Sequence, residues 1–508
     1  MRKIINLKIL SRKSNLAVIQ AQQVGRKIKD NFPHIKIDYI TKKTSGDIDL
    51  QTPLSEMGST GVFTDDLRND LIANKCDMAV HSWKDLPLDL GSETVLAGSL
   101  KRADQRDILF IKKSSQNHIN KNKKIIILSS SPRRIYNLNS FIKNYLPFKI
   151  VNIEFKNIRG NIPSRFNKFI EGEADGLVIA KAAIDRILNN PIVEFNEVSK
   201  IMKRNIEKCL WTITPLSQNP TSPGQGALGI EVLKKNKELI NIIKIISDQE
   251  TIECVNQERQ ILRGYGGGCH QKIGISYFHT HFGLMKAKKG ETDNGEDFYE
   301  WKKDSFNKNF INKANNDEIY PFSLKNYDLF RREDIQDSIK KINNISNRCF
   351  WISRSSALPL NAKINSTNII WTSGIKTWKS LIERGIWVNG TADGMGETTD
   401  VGIDNLTSNP WIKLTHKLAP ASKIKDVIYT YCLKEQPIDE NIGDKKFFYW
   451  MSSSAFNYVL KQNPKIINGY HACGPGNTYK ALKKVIKDSE RLEIALSFSA
   501  WKKNIIKN

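Results

Sequence analysis

The stretch LKILSRKSNLAVIQAQQVGRKIKDNFPHIKIDYIT, residues 7–41, decides the fold class. LKILS reads as a short buried strand. Leu16, Ile19, Val24 and Ile28 then recur at helical spacing across residues 14–31, and IKIDYIT (35–41) alternates like a second strand. Strand, helix and strand in that order predict a parallel pair with a crossover helix, and so an α/β sheet. A helix over 61–74 and a strand at DMAVHS (77–82) extend it. After residue 108 the pattern restarts: KKIIILSSS is a strand, PRRIYNLNSFIKNY a helix, FKIVNIEF and DGLVIA further strands, and KAAIDRIL a helix. A second α/β unit is therefore expected. SPGQGALGIE (222–231) reads as a Gly/Pro-rich crossing segment and 237–262 as a helical block, whereas 283–330 shows no clear periodicity. Beyond CFWIS at 349, FFYWMSSS and YHACGPGNTY are apolar strands that run into small and polar residues before a helix.

At 508 residues the chain is long enough for several domains. Its 40% hydrophobic content places it with globular rather than disordered proteins. No apolar run is long enough to span a bilayer, so no membrane partner is expected. The start, MRKIINLKIL, is interrupted by Asn6 and Lys8 and lacks a cleavage site, which predicts no signal peptide and a cytoplasmic location. The seven cysteines form no CxxC pair and are odd in number, which argues against a zinc cluster or a disulfide framework, and no metal is expected. The formal net charge of +25 has three readings: a polyanion partner, a lysine-rich compositional bias, or arginine forks that bind carboxylates. The lysines are scattered and no helix carries a basic stripe with interleaved aromatics, so no nucleic-acid partner is expected.

Cations recur where strands end. In AVHSWKDLPLDL (79–90) an apolar strand ends in Lys84 and Asp85. Ligands of open α/β sheets sit at such carboxyl ends, although a solvated surface pair is the plain alternative. In LSSSPRRIYNL (128–138), Ser129, Ser130 and Ser131 precede a helix that opens with Pro132, Arg133 and Arg134. Hydroxyls, backbone N–H groups and the helix dipole make an anion site there, and an ordinary serine cap with exposed arginines is the alternative. NIRGNIPSR (157–165) sets Arg159 and Arg165 around a Gly-Asn turn, and SRKSNLAVIQA (11–21) sets Arg12 and Ser14 between a strand and a helix. A substrate with several carboxylates suits this pattern. A nucleotide does not, because neither GxxxxGK[ST] nor a well-placed GxGxxG is present. Separately, YGGGCHQKIG (265–274) strips side chains away before Cys269. A metal ligand, a nucleophile, a redox thiol and a filler are all open for it.

Seven segments, in order, resemble porphobilinogen deaminases: SRKSNLAVIQAQ, TSGDIDLQTPLSEMG, AVHSWKDLP, SSSPRR, RGNIPSR, SPGQGALGIE and GGGCH. The resemblance covers roughly residues 7–345. It implies two α/β domains like the lobes of periplasmic binding proteins, at 1–110 with 210–228 and at 111–209, and a small α+β domain at 229–345. It implies a dipyrromethane cofactor held as a thioether at Cys269. The implied reaction joins four porphobilinogen molecules head to tail with release of ammonia. Asp85 matches the catalytic aspartate, which stabilises the cationic azafulvene formed as ammonia leaves. Asp47, Lys84, Ser129, Ser130, Ser131, Arg133, Arg134, Arg159 and Gly160 match cofactor-binding positions. Arg12, Ser14, Arg165 and Arg186 match substrate-binding ones. His270 is expected beside the cofactor without a catalytic role. In TPLSEMGSTGVF the family's usual lysines are replaced by Glu56 and Thr60, and another is displaced by Thr64 and Asp65, which predicts weaker hold on cofactor carboxylates by this segment. A monomer is expected.

Residues 346–508 resemble a divergent α/β uroporphyrinogen-III synthase, through IIWTSGIKTWKSLIERGIWVNGTADGMGE (369–397), FYWMSSSAFNYVL (448–460) and HACGPGNTYKALKK (471–484). A second active site is then expected at Ser452, Ser453, Ser454, Gly474, Asn477 and Thr478. An accessory domain without activity is the alternative, since a strand followed by serines and a helix is a common cap. A two-lobed solute-binding or sensor protein is a further alternative for the whole chain, against which the glycine-flanked Cys269 counts.

Overall fold

The computed structural model describes residues 5–48, 61, 63–267, 271–305, 310–311, 313–324, 329–438 and 440–506. Glu56, Thr60, Cys269 and His270 lie outside the described residues. The chain divides into two compact units: Met1–Asn144, Phe148–His279 and Lys286–Trp301 in one, and Tyr145–Pro147, Thr280–Met285 and Lys302–Asn508 in the other.

In the first unit, β1 (Asn6–Arg12) buries Leu7 and Ile9 and pairs in parallel with β2 (Lys36–Lys42), from Asn6 opposite Lys36 to Arg12 opposite Lys42. The helix between them, Asn15–Asn31, is capped by Ser14 and buries Ile19, Val24 and Ile28. This is the crossover expected from residues 7–41. β1 also pairs in parallel with β3 (Met78–Ser82). With β4 (Thr94–Gly98) and β10 (Leu228–Leu233), the sheet runs in the order β2-β1-β3-β10-β4, β10 being antiparallel to both neighbours. The helix Lys237–Ile246 packs Leu239, Ile242 and Ile243 into the same core as Leu7 and Ile9. Residues 229–246 therefore belong to this lobe and not to the expected third domain. The helical block expected at 237–262 is two helices, because the backbone turns extended at Ser247 after the first, and Asp248 caps the second, Gln249–Gly264, by accepting from Thr251 N–H at 2.9 Å.

A second sheet repeats the same layout. It runs β7 (Asn152–Lys156), β6 (Lys124–Leu128), β8 (Gly176–Ala180), β5 (Asp107–Lys112) and β9 (Cys209–Ile213), with β5 antiparallel to both neighbours. The chain passes between the two lobes twice, after β4 and after β9. A three-stranded sheet follows, from β11 (Gly274–Thr280), β12 (Gly283–Glu291) and β13 (Asp297–Lys303).

The second unit has two lobes of its own. One sheet holds β15 (Phe330–Asp334), β20 (Asp426–Glu435), β19 (Trp411–His416), β16 (Cys349–Ile352), β17 (Ile369–Thr372) and β18 (Gly390–Thr391), in that order. All its pairings are parallel except β15 with β20. The other sheet runs β14 (Ile319–Tyr320), β21 (Phe447–Trp450), β22 (Tyr470–Cys473) and β23 (Leu492–Ile494), all parallel. Because β14 and β15 are built into these sheets, the boundary expected between residues 345 and 346 is displaced toward the N-terminus. Strand pairing, invisible in a local pattern, decides it. No helix among the described residues is long and apolar enough to cross a membrane.

Candidate active site

β3 ends in a single tight turn, Trp83–Asp85. Trp83 is buried, its N–H donates to Ala227 O at 3.0 Å, and Leu86 N–H closes the turn onto Trp83 O. Gly224 of the crossing segment lies against this turn at φ +78, where a Cβ would come within 3.2 Å of Lys84 N. Lys84 and Asp85 are thereby carried on a braced backbone. Lys84 donates to Gln225 Oε1 at 3.4 Å, and Arg134 Nη2 reaches the same oxygen at 3.5 Å. Burial pushes the Lys84 ammonium down to about 8; Asp85 and Asp107 oppose that fall, and Arg134 and Arg133 deepen it.

Arg134 and Arg133 open the helix Pro132–Tyr145. Ser131 accepts from Arg134 N–H and Ser129 from Ser131 N–H, both at 3.4 Å. Ser130 donates to Ile158 O at 2.9 Å and accepts from Ile158 N–H at 2.8 Å, which ties the 157–160 turn to the serine loop. In that turn Gly160 has φ +114, a conformation that favours glycine, and Asn161 caps the next helix by accepting from Ser164 N–H. Arg165 donates to Gly160 O at 2.7 Å. Burial pushes the Arg165 guanidinium down to about 10, Arg134, Arg159 and Arg12 add to the fall, and Asp85 resists it. Arg134 and Asp85 thus act on both Lys84 and Arg165, and Arg159 and Arg12 act on Arg165.

Arg12 pairs with Asp47 and lies over the Phe63 ring at 4.2 Å. Burial would raise the Asp47 carboxyl, but Arg12 and Thr44 hold it below its usual value. Thr64 precedes the helix Asp65–Ile72, and Asp65 pairs with Arg68.

Arg133, expected at the cofactor, and Arg186, expected at the substrate, both bond to protein groups. Buried Arg133 donates to Asp107 Oδ2 (2.8 Å), Asn219 Oδ1 (2.9 Å) and Pro220 O (2.8 Å). Buried Arg186 donates to Gln23 Oε1 (3.2 Å) and Gly226 O (2.8 Å), and burial lowers it to about 10. Both fasten the segments that pass between the lobes. The sequence reading also missed Asp107. This fully buried carboxylate accepts from Arg133, from Arg134 at 2.7 Å, from Gln225 at 2.9 Å and from Asn219 at 3.1 Å. Glu258 is a second hidden hub. It takes both arms of Arg102, at 2.7 and 3.0 Å, together with the N–H groups of Gly224 and Tyr277. Arginines beside aspartates in RADQRD (102–107) were the available signal.

The family model of the porphobilinogen deaminase dipyrromethane cofactor-binding domain matches residues 7–241. Porphobilinogen deaminase of Chlorobaculum tepidum is 34% identical over 265 residues, 52% of this chain and 76% of its own. The chain belongs to the porphobilinogen deaminase family. A probable porphobilinogen deaminase of Picrophilus torridus is 34% identical over 295 residues, 58% of this chain and 92% of its own. Among solved structures, a periplasmic sulfonate-binding protein of Methylobacillus flagellatus aligns at 15% identity and a TM-score of 0.29, over 50% of this chain and 72% of its own.

The chain therefore carries the family's dipyrromethane-binding domain, and tetrapyrrole biosynthesis is its setting. The residues present fit that group. Arg134 keeps a buried Nε with no partner among the described residues, and its charge lowers both Arg165 and Lys84 beside it. Such a donor set matches the carboxylates of a dipyrromethane.

The residues expected at a second site lie in the second unit. Ser452 caps the helix Ser453–Gln462 by accepting from Ala455 N–H at 3.2 Å. Ser453 is buried and Ser454 donates to Leu418 O at 3.4 Å. Gly474 has open space where a Cβ would stand, and Thr478 lies in the first turn of the helix Asn477–Val485. Asn477 is taken by the chain's own Glu397, at 3.3 Å. Glu397 also accepts from Lys413 at 2.5 Å and from Ser422.

Proposed function

We propose that this chain joins four porphobilinogen molecules head to tail into hydroxymethylbilane, and that its C-terminal part then closes that product into uroporphyrinogen III. The observation that carries the first reading is the group of cations around Asp85. Each pyrrole unit brings two carboxylates, and Arg134, Arg159, Arg165, Arg12 and Lys84 offer the charges to hold them. Lys84, lowered to about 8, remains mostly protonated at neutral pH and serves as a cation. Asp85 sits among these cations, where its carboxylate stabilises the positive charge that develops on porphobilinogen as ammonia departs. Arg133 and Arg186 position the lobes rather than touch substrate. Bound at Cys269, the dipyrromethane supplies the pyrrole carbon to which the first substrate unit is joined.

The two-lobed C-terminal sheets, with Ser452, Gly474 and Thr478 at strand ends, support cyclisation. The hold of Glu397 on Asn477 favours a second reading, an accessory part that keeps the fold without the activity. One experiment separates them. The purified chain is incubated with porphobilinogen and the porphyrin isomer is identified after oxidation. Type III product is expected. Type I alone means that the C-terminal part does not cyclise, and no porphyrin at all removes the first activity. Intact masses of the wild type and Cys269→Ala test the anchor: they are expected to differ by a dipyrromethane as well as by the substitution.

A further inference from the structure

β16 and β19 run in parallel, so their carboxyl ends bring Arg354 and His416 to one end of the six-stranded sheet. Ser353 Oγ joins them by donating to Leu414 O at 2.8 Å. His416 lies beside Tyr431 of β20, ring centroids 5.4 Å apart, and Arg332 of β15 covers the same Tyr431 ring at 4.6 Å. Arg354 donates to Met451 O at 3.0 Å, which brings in the chain just before Ser452. Among the described residues neither Arg354 nor Arg332 has a carboxylate partner, and the nearby Lys413 is committed to Glu397. The buried Nδ1 of His416 has no partner either.

We propose that Arg354, His416 and Arg332 form a carboxylate-binding subsite at the carboxyl ends of β16 and β19, which holds a side-chain carboxylate of the linear tetrapyrrole. This rests on the cyclisation reading for its ligand, but the subsite rests on its own geometry. Arg354 has donors to spare for a bidentate grip, and an N–H at Nδ1 of a neutral imidazole is a third donor. Burial first, then Arg354, Lys413 and Arg332, push the imidazole down to about 4, so it stays neutral at physiological pH. An arriving carboxylate cancels part of that positive field and makes the protonated ring less costly. Ligand binding and proton uptake at His416 are therefore linked.

The test uses the full chain with 15N-labelled histidine; eight histidines keep the spectrum tractable, and His416→Phe assigns the signal. Uroporphyrin I, an octacarboxylate, is the probe. Its saturation is expected to raise the His416 titration midpoint by about one pH unit. Arg354→Gln, an exposed position, is expected to raise the midpoint without ligand and to weaken the probe's effect at His416 at least about tenfold. A midpoint unmoved by the probe, or an undiminished response in Arg354→Gln, overturns the subsite. The product isomer of the wild type is read in parallel. Type III product with a silent His416 overturns the subsite and leaves cyclisation standing. Type I product with a responding His416 supports the subsite and overturns cyclisation.

Discussion

Asp85→Ala is expected to lower porphobilinogen turnover by at least about 10²-fold, most of it in kcat. The carboxylate sits on a turn braced by Trp83, by the Ala227 carbonyl and by Gly224, none of which depends on the Asp85 side chain. The fold should therefore survive the change. Porphobilinogen arrives with an ordinary aminomethyl group, and a delocalised cation exists only as the C–N bond breaks. A fixed carboxylate thus gains most of its attraction in the transition state, which is the condition for lowering kcat rather than weakening binding. Asp85→Asn keeps the shape, loses the charge and should behave like the alanine variant. Asp85→Glu should retain the larger share of activity. The same loss should lower Lys84 further, because Asp85 is the first of the charges that hold its ammonium up. Single-turnover rates with saturating porphobilinogen measure the effect. A kcat within tenfold of the wild type would remove Asp85 from the chemistry.

Local periodicity made the first lobe legible. In residues 7–41 the apolar positions of the first strand and of the helix, Leu7, Ile9, Ile19, Val24 and Ile28, are buried in the folded lobe, whereas the second strand lies at the sheet edge with Ile37 and Ile40 half-buried and Tyr39 exposed, and Ser14 caps the helix where the sequence changes character. The strand-end motifs were legible for the same reason: a strand running into Lys84 and Asp85, or into Ser129–Arg134, announces its own end. What was hidden depends on partners distant in sequence. Arg133 and Arg134 are adjacent and look alike. Only the fold shows that Asp107, Asn219 and Pro220 enclose the first, while the second keeps a buried Nε for something else. β12 was missed because its inward positions, Met285 and Ala287, alternate with lysines and its face is thinly apolar. The limits of the C-terminal unit were missed because β14 and β15 are two and five residues long and take their meaning from β21 and β20.

Asp107→Asn is expected to destabilise the chain by about 3–5 kcal/mol, a large share of the roughly 5–15 kcal/mol typical of folded proteins. One carboxylate, with no solvent exposure, neutralises two guanidinium groups and accepts from Asn219 and Gln225 as well. Asparagine keeps the volume, removes the charge and turns an amide N–H₂ toward a cation already short of acceptors. Burial alone would raise the Asp107 carboxyl, but Arg134 and Arg133 drive it far below the usual carboxylate range. A group whose pKa is lowered by folding stabilises fully above its unfolded value near 3.9, and that stabilisation fades as pH falls toward the folded value. Asp104, held at about 2 by Arg106 and Lys181 against burial, and Glu231, held at about 2 by His81, Arg68 and Thr94 against burial, lose theirs over the same window. Wild-type stability should therefore drop steeply between about pH 4 and pH 2, and the deficit of Asp107→Asn should be full at pH 7 and smaller at pH 3. Urea unfolding at the two pH values measures both. A deficit under about 1 kcal/mol at pH 7, or one that does not shrink at pH 3, would mean that the two arginines find other acceptors. Because Arg134 is shared between this carboxylate and the cation cluster, the variant should also bind porphobilinogen carboxylates in a looser geometry. A structural loss and a rise in KM are expected together, from one side chain that touches no substrate.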